Sequence, residues 1–453
     1  MCCYHKLRLW SDVPSLARRF RRCWVVARRR CQSQPLVATS CHFFAPPKAL
    51  SLFPPASWFQ TCGCPSSQAL IRRWCFAQMR AAQAACPAQL QALPRRRRRL
   101  RPAQGALSVR AEKRTVLVTG GAGFVGSHAI AALLRRGADV ISLDPCTSNW
   151  PYPAAWKESN LQLLRAVADD TGSSLHVCRG SCVERGDVSA ALQAAGRVSS
   201  VLHLAAFSGV AGTLAEEAIS VNVGGTAVVA ELARKAGVER FVLASSGAVY
   251  GDRGEAMRDV GYSEAHAADA PLSVYAASKR SAELVTHAAV VNGGMCATVL
   301  RLFTVYGERG RPDMAPYRFV RDISVGTPLT VYGDGEAWRD YVHVEDVAAC
   351  FLAAAFGTSR EPFRLFNVAG GQAVRLRDFI RAVEAACGKQ ASLIRLPERA
   401  GDVGGTHADV RKALRELGWR PAVSLEEGLR RTAAWWLDKA ADEYRVDSSK
   451  AGT

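Results

Sequence analysis

From residue 115 onwards, short apolar runs alternate with longer stretches that carry apolar residues at helical spacing. Runs rich in β-branched and aliphatic residues predict strands at Thr115–Thr119, Val140–Leu143, Leu175–Val177, Val201–Leu204, Phe241–Ala244 and Ala297–Leu302. Helical patterns separate them, including one that ends at Arg136 and others at Ala215–Ala236 and Val274–Val291. Strands that alternate with helices predict an α/β fold, a doubly wound parallel sheet covered on both faces.

The pattern changes after Arg301, where the chain becomes irregular and rich in Gly, Pro and Arg. Helical spacing returns near Val344–Ala355, Leu376–Ala386 and Leu425–Asp438. Because ligands of such sheets bind in the crevice at the strands' carboxyl ends, we expect a smaller C-terminal substrate-binding domain there. The predicted organisation is a first domain at 111–303, an interleaved second domain at 304–440 and a loose tail at 441–453.

Residues 1–110 form a basic arm with a composition unlike the rest. They hold 20 of the 59 Lys and Arg residues and a single acid, Asp12, whereas the remainder holds 39 bases and 39 acids. The net charge of +19 therefore belongs to the arm, and the body gives no reason to expect nucleic-acid binding. The arm is typical of an organelle transit peptide, and Val109-Arg110-Ala111 resembles a stromal processing site. A plastid or other organelle is the expected location if the arm is real; a wrongly predicted start codon would leave a cytoplasmic protein.

Neither a membrane span nor a metal site is expected from the apolar runs and cysteines. No stretch of the arm approaches 18 uncharged apolar residues. Nine of the 15 cysteines lie in the arm, where Cys62 and Cys64 have too few nearby partners for a metal. The other six are scattered, mostly within apolar runs, which favours buried free thiols in a reducing compartment.

A glycine motif, G-x-x-G-x-x-G, follows the first predicted strand and opens a helix. Gly120 and Gly123 would let backbone N–H groups approach a pyrophosphate, and Gly126 would allow close helix–strand packing. Asp144 ends the second predicted strand, 18 residues past Gly126, where a carboxylate accepts ribose hydroxyls and repels a 2′-phosphate. The combination predicts a Rossmann domain that binds NAD rather than NADP.

Tyr275 and Lys279, in Y-A-A-S-K, are four residues apart and share one face of a helix. The ammonium can therefore sit beside the phenol. With a positively charged nicotinamide it would supply the roughly 4 kcal/mol needed to lower the tyrosine pKa by about three units. Ser246, just after the fifth predicted strand, would hydrogen-bond the reacting substrate oxygen. These three residues predict a hydride-transfer enzyme, with Tyr275 as the base.

The body as a whole, residues 115–440, resembles the extended short-chain dehydrogenase/reductases, and among them the nucleotide-sugar 4-epimerases. Beyond the motifs above, the matching segments are H-L-A-A at 203–206, N-V-G-G-T at 222–226, V-Y-G at 249–251, R-L-F-T-V-Y-G-E-R-G-R-P-D-M at 301–314, Y-G-D-G-E-A-W-R-D-Y-V-H-V-E-D-V at 332–347 and R-A-G-D at 399–402. The resemblance implies a homodimer that binds a UDP-sugar.

The same resemblance assigns further site residues. It adds a set of cofactor-binding positions: Phe124, Val125, Leu204, Ala205, Ala206, Asn222, Tyr275 and Lys279. It implies that Asn222 supports the catalytic helix region. Arg339 and Arg399 are implied to bind the diphosphate, for which guanidinium groups are suited, and Asp402 the uridine ribose. Ser181 departs from the family, which commonly has an aspartate there that touches adenine.

The identity of the sugar depends on Thr304 and Arg311, which in UDP-glucuronate 4-epimerases face the hexuronate carboxylate. UDP-glucose 4-epimerases usually carry asparagine at the position of Thr304. Gly247 and Ala248 argue the other way, since the uronate enzymes usually have serines there; their lack of an acid also excludes the related dehydratases and decarboxylases. We expect a UDP-glucuronate 4-epimerase. The alternatives are a UDP-glucose/UDP-galactose or UDP-pentose 4-epimerase and, from another class, a plastid RNA-binding protein on a dehydrogenase scaffold.

Overall fold

A computed structural model describes residues 114–148, 152–208, 214–291, 293–397 and 404–440 of the 453-residue chain. The predicted arm at 1–110 and the predicted tail at 441–453 lie outside the described residues. Within the described part of the chain, no helix is long and apolar enough to cross a membrane.

Strands and helices alternate through the first half of the described chain. The strands are β1 Thr115–Thr119, β2 Asp139–Leu143, β3 Leu175–Cys178, β4 Val198–His203, β5 Arg240–Ser246, β6 Cys296–Leu302, β7 Thr304–Tyr306, β8 Leu329–Tyr332, β9 Trp338–His343, β10 Phe363–Val368, β11 Ala373–Arg375 and β12 Leu393–Leu396. The α-helices are α1 Phe124–Arg135, α2 Ala154–Thr171, α3 Arg185–Gln193, α4 Ala215–Ala218, α5 Thr226–Lys235, α6 Ala256–Val260, α7 Val274–Val291, α8 Ala315–Val325, α9 Val344–Phe356, α10 Leu376–Cys387, α11 Arg411–Leu417 and α12 Leu425–Trp435. Two π-helical segments, Ile219–Gly225 and Trp436–Ala440, and a 3₁₀ turn, Gly247–Tyr250, complete the description.

Seven strands form the main sheet, in the order β10-β6-β5-β4-β1-β2-β3. Every neighbouring pair is parallel. The order reverses at β1, which pairs with β2 on one side and β4 on the other, so a crevice opens at their carboxyl ends. The predicted doubly wound Rossmann sheet is confirmed.

Two apolar layers cover the sheet, because its central strands are apolar on both faces. On one face α1, α2 and α9 pack through residues such as Ile130, Leu134, Leu164 and Phe351. On the other face α3, α5 and α7 pack through residues such as Val188, Val229 and Val290. The catalytic-helix candidate α7 is thus fixed against β5 and β6.

The structure also corrects several sequence-based expectations. A seventh strand, β10, was missed because its sequence F-R-L-F-N-V is short and interrupted by polar residues. The predicted helix Ala215–Ala236 is α4 and α5 joined by the π-helical segment Ile219–Gly225. The region after Arg301 is not irregular throughout, since β7, α8, β8 and β9 lie within it.

These later elements form two small sheets, β11-β9-β7 and β12-β8. An aromatic cluster lies among them, in which the Tyr341 and Phe379 rings stack with centroids 4.1 Å apart. Strand β10 nevertheless belongs to the main sheet, and helix α9 belongs to the layer that covers it. The second half of the chain therefore supplies parts of both cores.

Candidate active site

The glycine loop connects β1 to α1 at the reversal point of the sheet. Gly120 has φ +70°, and a Cβ there would lie 2.8 Å from the backbone nitrogen of Ala205, so only glycine fits. A Cβ on Gly126 would overlap the carbonyl oxygen of Gly120, which means that this glycine permits close packing of α1 on the loop itself. Gly121 was missed by the motif, yet a Cβ there would overlap the Ser142 hydroxyl. At Gly123 the space is less tight, 3.2 Å from the Gly120 oxygen.

The start of α1 is built for an anion. Gly123 is its N-cap, and the described first turn, which includes Phe124 and Val125, has neither an acidic residue nor a side-chain cap. Its backbone N–H groups and the helix dipole therefore favour a negatively charged group at this end. Together with the backbone cradle at Gly120, this arrangement fits the pyrophosphate of a dinucleotide.

Asp144 follows β2 at the edge of the same crevice and is 4% exposed. Its Oδ1 accepts hydrogen bonds from the Cys146 backbone N–H (2.9 Å) and from the Lys157 ammonium (3.1 Å). Both members of the ion pair are buried. Lys157 was not predicted from the sequence, because its partner lies 13 residues away on a different element. The ion pair compensates the buried charge of the carboxylate that the sequence predicts as the acceptor of ribose hydroxyls.

The loop after β4 completes the cofactor side of the crevice. The Leu204 N–H donates to the Thr119 carbonyl (3.2 Å) and the Ala205 N–H to the Thr119 hydroxyl (3.2 Å). Leu204, Ala205 and Ala206 are all partly exposed. The backbone here is held next to Gly120, so these residues flank the predicted pyrophosphate position. At the outer edge, the Ser181 N–H donates to the Asp187 carboxylate (2.8 Å), which places an acid beside the position where the family commonly has one.

Ser246 and Tyr275 meet at the carboxyl end of β5. Ser246 ends the strand, and its hydroxyl accepts a hydrogen bond from the Ala248 N–H (3.2 Å). Tyr275 on α7 is partly exposed as a residue, and its phenol is hydrogen-bonded to the Ser246 side chain. Burial raises the pKa of Tyr275 above its ordinary value, whereas this hydrogen bond and the charge of Arg311 lower it. The geometry therefore directs a serine hydroxyl and a phenol to one point.

Lys279 is on the same helix but is held differently from the prediction. Its ammonium is buried and donates to the Ala244 carbonyl oxygen (2.8 Å), whereas we expected it beside the phenol. Burial lowers the pKa of Lys279 to about 8. The charge of Arg311, which the Y-x-x-x-K spacing does not predict, also lowers the pKa of Tyr275. The contact of Lys279 with Ala244 joins residues 35 positions apart, so the Y-x-x-x-K spacing cannot predict it.

Asn222 lies in the π-helical segment, a local geometry that is frequent at functional sites. The side chain is 1% exposed and exchanges two hydrogen bonds with the backbone of Phe207 (2.8 and 2.9 Å). Its Nδ2 also donates to the Ser278 hydroxyl (2.9 Å), which in turn donates to the Tyr275 carbonyl oxygen (2.8 Å). Asn222 therefore joins the loop after β4 to the helix that carries Tyr275.

Thr304 and Arg311 come from the segment after β6. Thr304 begins β7, next to Tyr341 of β9, and is partly exposed. The Arg311 guanidinium donates two hydrogen bonds to the Asp313 carboxylate (3.0 and 2.6 Å) and one to the Ser208 hydroxyl. The sequence reasoning missed Asp313 and Ser208. They orient Arg311 near Tyr275 and already satisfy part of its charge.

The other predicted substrate residues are only partly within the described chain. Arg339 is on β9, partly exposed, with an N–H donated to the Trp338 carbonyl (2.8 Å). Arg399 and Asp402 lie outside the described residues. At Gly247 there is little room for a side chain, since a Cβ would lie 3.0 Å from the ring of Phe303. The position where uronate enzymes usually have a serine is therefore closed by an aromatic ring.

Comparisons with known proteins agree with this geometry. Residues 116–369 match the model of the NAD dependent epimerase/dehydratase family. The probable UDP-glucuronate 4-epimerase of Rhizobium meliloti (strain 1021) is 32% identical over 341 residues, which are 71% of this chain and 96% of that relative. Among solved structures, the Bacillus cereus UDP-glucuronic acid 4-epimerase in complex with UDP-glucuronic acid and NAD has a TM-score of 0.65 and 31% identity, covering 72% of this chain and 99% of that one. The Thermotoga maritima UDP-glucose 4-epimerase with UDP-glucose has a TM-score of 0.63 and 29% identity over the same shares. The resemblance noted from the motifs is confirmed: the chain belongs to the NAD dependent epimerase/dehydratase family.

Proposed function

We propose that this protein catalyses the NAD-dependent 4-epimerisation of a UDP-sugar, and that the sugar is glucuronate, interconverted with galacturonate. The observation that carries the reaction class is the Tyr275 phenol, hydrogen-bonded to Ser246 across the crevice from a phosphate-binding glycine loop. Residues 111–303 would hold the cofactor and residues 304–440 the nucleotide sugar. The family and the solved neighbours with bound NAD and UDP-sugars support this assignment.

In the proposed mechanism, Tyr275 as phenolate accepts the proton of the sugar 4-hydroxyl while Ser246 donates a hydrogen bond to the same oxygen. A bound NAD would supply reversible hydride transfer at C4, for which no external reductant is needed. Lys279 holds the positive charge that favours the phenolate and binds the nicotinamide ribose. Arg339 and Arg399 hold the diphosphate while the 4-keto sugar rotates in the site to present its opposite face. Tyr275 then returns the proton to the oxygen of the inverted centre.

The preference for a uronate is supported by Thr304 and Arg311. A guanidinium next to the catalytic phenol provides charge for a carboxylate, and a threonine hydroxyl can donate to it. Asp313 competes for the same guanidinium, but the Nη1 group that contacts Ser208 is on its other side. A hexuronate carboxylate would replace Ser208 as the partner of Arg311, while Asp313 would keep the guanidinium in its present orientation.

A second candidate is a 4-epimerase of neutral UDP-hexoses. The observation in its favour is that Arg311 is already paired with Asp313, while Gly247 and Ala248 offer no hydroxyl and Phe303 closes the first of these positions. The two candidates share the catalytic groups and differ only in what surrounds sugar C6.

The deciding experiment incubates the purified chain with UDP-glucuronate, UDP-glucose and UDP-xylose in turn, with NAD and no reductant, and separates the products by chromatography. Conversion of UDP-glucuronate to UDP-galacturonate supports the proposal. Conversion of UDP-glucose alone establishes the second candidate, and failure with all three sugars refutes both.

We also propose that the protein is a homodimer, formed through α7 and the neighbouring α4 and π-helical segment. These elements pack on one another yet leave large apolar side chains exposed, including Leu284 (55%), Ile219 (48%) and Leu214 (63%). A second copy would cover this patch by helix packing. Sedimentation should give twice the chain mass, and Leu284→Lys should give the mass of a monomer.

For residues 1–110 we propose a role as an organelle transit peptide. The support is their composition: 20 basic residues against one acidic residue, rich in Ala, Ser and Pro. A fluorescent fusion to residues 1–111 should enter plastids or another organelle, and a diffuse cytoplasmic signal would refute the targeting role.

A further inference from the structure

We propose that Glu283 is a positioning residue for the reaction: it locks the catalytic helix to the strand that carries Ser246 and provides the negative charge that keeps Lys279 protonated. This inference rests on the proposed function, because both partners are groups of that reaction.

The first support is the hydrogen bonding of the Glu283 carboxylate, which is 1% exposed. Glu283 is on α7, one turn after Lys279. Its oxygens accept four hydrogen bonds: from Ser245 Oγ (2.6 Å), from Arg301 Nε (2.8 Å) and Nη2 (2.7 Å), and from Arg280 Nη1 (2.9 Å). Ser245 directly precedes Ser246 in β5, and Arg301 lies in β6. One carboxylate therefore joins α7 to two strands at the catalytic end of the sheet.

Arg301, which makes two of these hydrogen bonds, is itself buried against aromatic rings. The Arg301 guanidinium is 2% exposed and lies 4.6 Å from the centre of the Tyr250 ring, which stacks on Tyr262 at 4.9 Å. A buried ion pair of this kind rarely adds stability beyond a well-packed apolar pair, since desolvation opposes the attraction. Its location beside Ser246 and Lys279 instead indicates a role in placing groups and charge.

The second support is electrostatic. The Lys279 ammonium is buried against the Ala244 carbonyl, and this burial favours its neutral form, lowering its pKa. Two groups oppose this effect: Cys182, from the loop after β3, and Glu283, from the same helix. Arg280 and Arg301, the nearby cations, are both bonded to Glu283. In the proposed mechanism the Lys279 charge favours the Tyr275 phenolate, which a neutral lysine could not do, so the charge of Glu283 bears on the base through Lys279.

The test compares pH profiles of kcat for the wild type, Glu283→Gln, Glu283→Asp and Ser245→Ala. Glutamine keeps the shape and removes the charge, so the alkaline limb of the profile should move about one pH unit lower. Glu283→Asp keeps the charge, and Ser245→Ala removes one hydrogen bond. Both variants should lower kcat at every pH and leave the alkaline limb of the profile at its wild-type position. A limb that stays in place in Glu283→Gln would show that the residue is only structural and would overturn the proposal.

A second readout does not require turnover. Ultraviolet difference absorbance between each protein and its Tyr275→Phe counterpart, with NAD bound, reports the Tyr275 phenolate. In Glu283→Gln the phenolate should form at higher pH than in the wild type, and an unchanged titration would contradict the proposal. If the wild type titrates but converts no UDP-sugar, the proposed function fails while this readout still decides the role of Glu283. If Glu283→Gln does not fold, the double variant Arg301→Met/Glu283→Gln removes the Arg301 guanidinium that would be left unpaired. The same titration can then be carried out on the double variant.

Discussion

Replacing Asn222 by alanine should reduce turnover far more than the same replacement of an equally buried asparagine elsewhere in the chain. Its side chain makes three hydrogen bonds, two with the Phe207 backbone and one with the Ser278 hydroxyl beneath Tyr275. Alanine leaves the Phe207 N–H and carbonyl without these partners and releases the helix turn that carries the phenol. Both consequences follow from one side chain, so stability and activity should fall together.

The size of each effect can be estimated from these contacts. An unsatisfied buried polar group costs about 1–3 kcal/mol, and Phe207 is only partly buried, so the two backbone groups together should cost about 2–4 kcal/mol. For a body of this size that lowers the Tm by roughly 3–6 °C. A displacement of the phenol by about 1 Å lowers kcat by about 10²-fold.

The control is Asn367→Ala. Asn367 is fully buried, and its amide accepts from the Tyr250 hydroxyl (2.8 Å) and donates to the Tyr262 carbonyl (2.7 Å). Differential scanning fluorimetry should show similar losses for both variants, whereas steady-state epimerisation should show a much larger loss of kcat for Asn222→Ala. Equal losses of kcat in the two variants would refute the idea that Asn222 acts by holding the catalytic helix.

Four further predictions follow from the site. Tyr275→Phe should reduce kcat by at least about 10³-fold while NAD still binds, measured by epimerisation and by cofactor fluorescence; retained turnover contradicts its role as base. Gly120→Ala should weaken NAD binding by at least about tenfold, since φ +70° and the 2.8 Å contact with Ala205 oppose a side chain; calorimetry measures this. Because the pKa of Lys279 is lowered to about 8, kcat should fall above that pH as the ammonium is lost. In the unfolded chain the lysine keeps its proton up to about pH 10.5, so its contribution to the free energy of unfolding rises between about pH 8 and 10.5. Urea unfolding of the wild type and of Lys279→Met across this range measures that contribution as a difference. Ala248→Ser should raise kcat/KM for UDP-glucuronate but not for UDP-glucose, whereas Gly247→Ser should impair both by displacing Phe303.

Much of the cofactor half could be predicted from the sequence. Strand–helix alternation and the glycine spacing predicted β1, the loop and α1, because these are local patterns with a fixed period. The position of Asp144 could be predicted in the same way, because it depends only on where the second strand ends. What the pattern could not supply was Lys157, the buried partner of that carboxylate, because helix α2 carries no motif of its own.

The substrate half was harder to predict, and the reason is physical. Its small sheets join short strands from distant parts of the chain, with β9 pairing both β7 and β11, so their periodicity is too brief to recognise.

By itself, the sequence determined the fold class and the cofactor loop, and it predicted Ser246, Tyr275 and Lys279 as catalytic residues, since these depend on local spacing and on residue chemistry. Only the tertiary structure decided how charge is arranged around them. It placed the charge of Arg311 close enough to act on the phenol, paired Arg311 with Asp313, and brought Glu283 and Arg301 together next to Ser246. Electrostatic effects depend on distance and burial through space, which residue spacing along a chain does not specify.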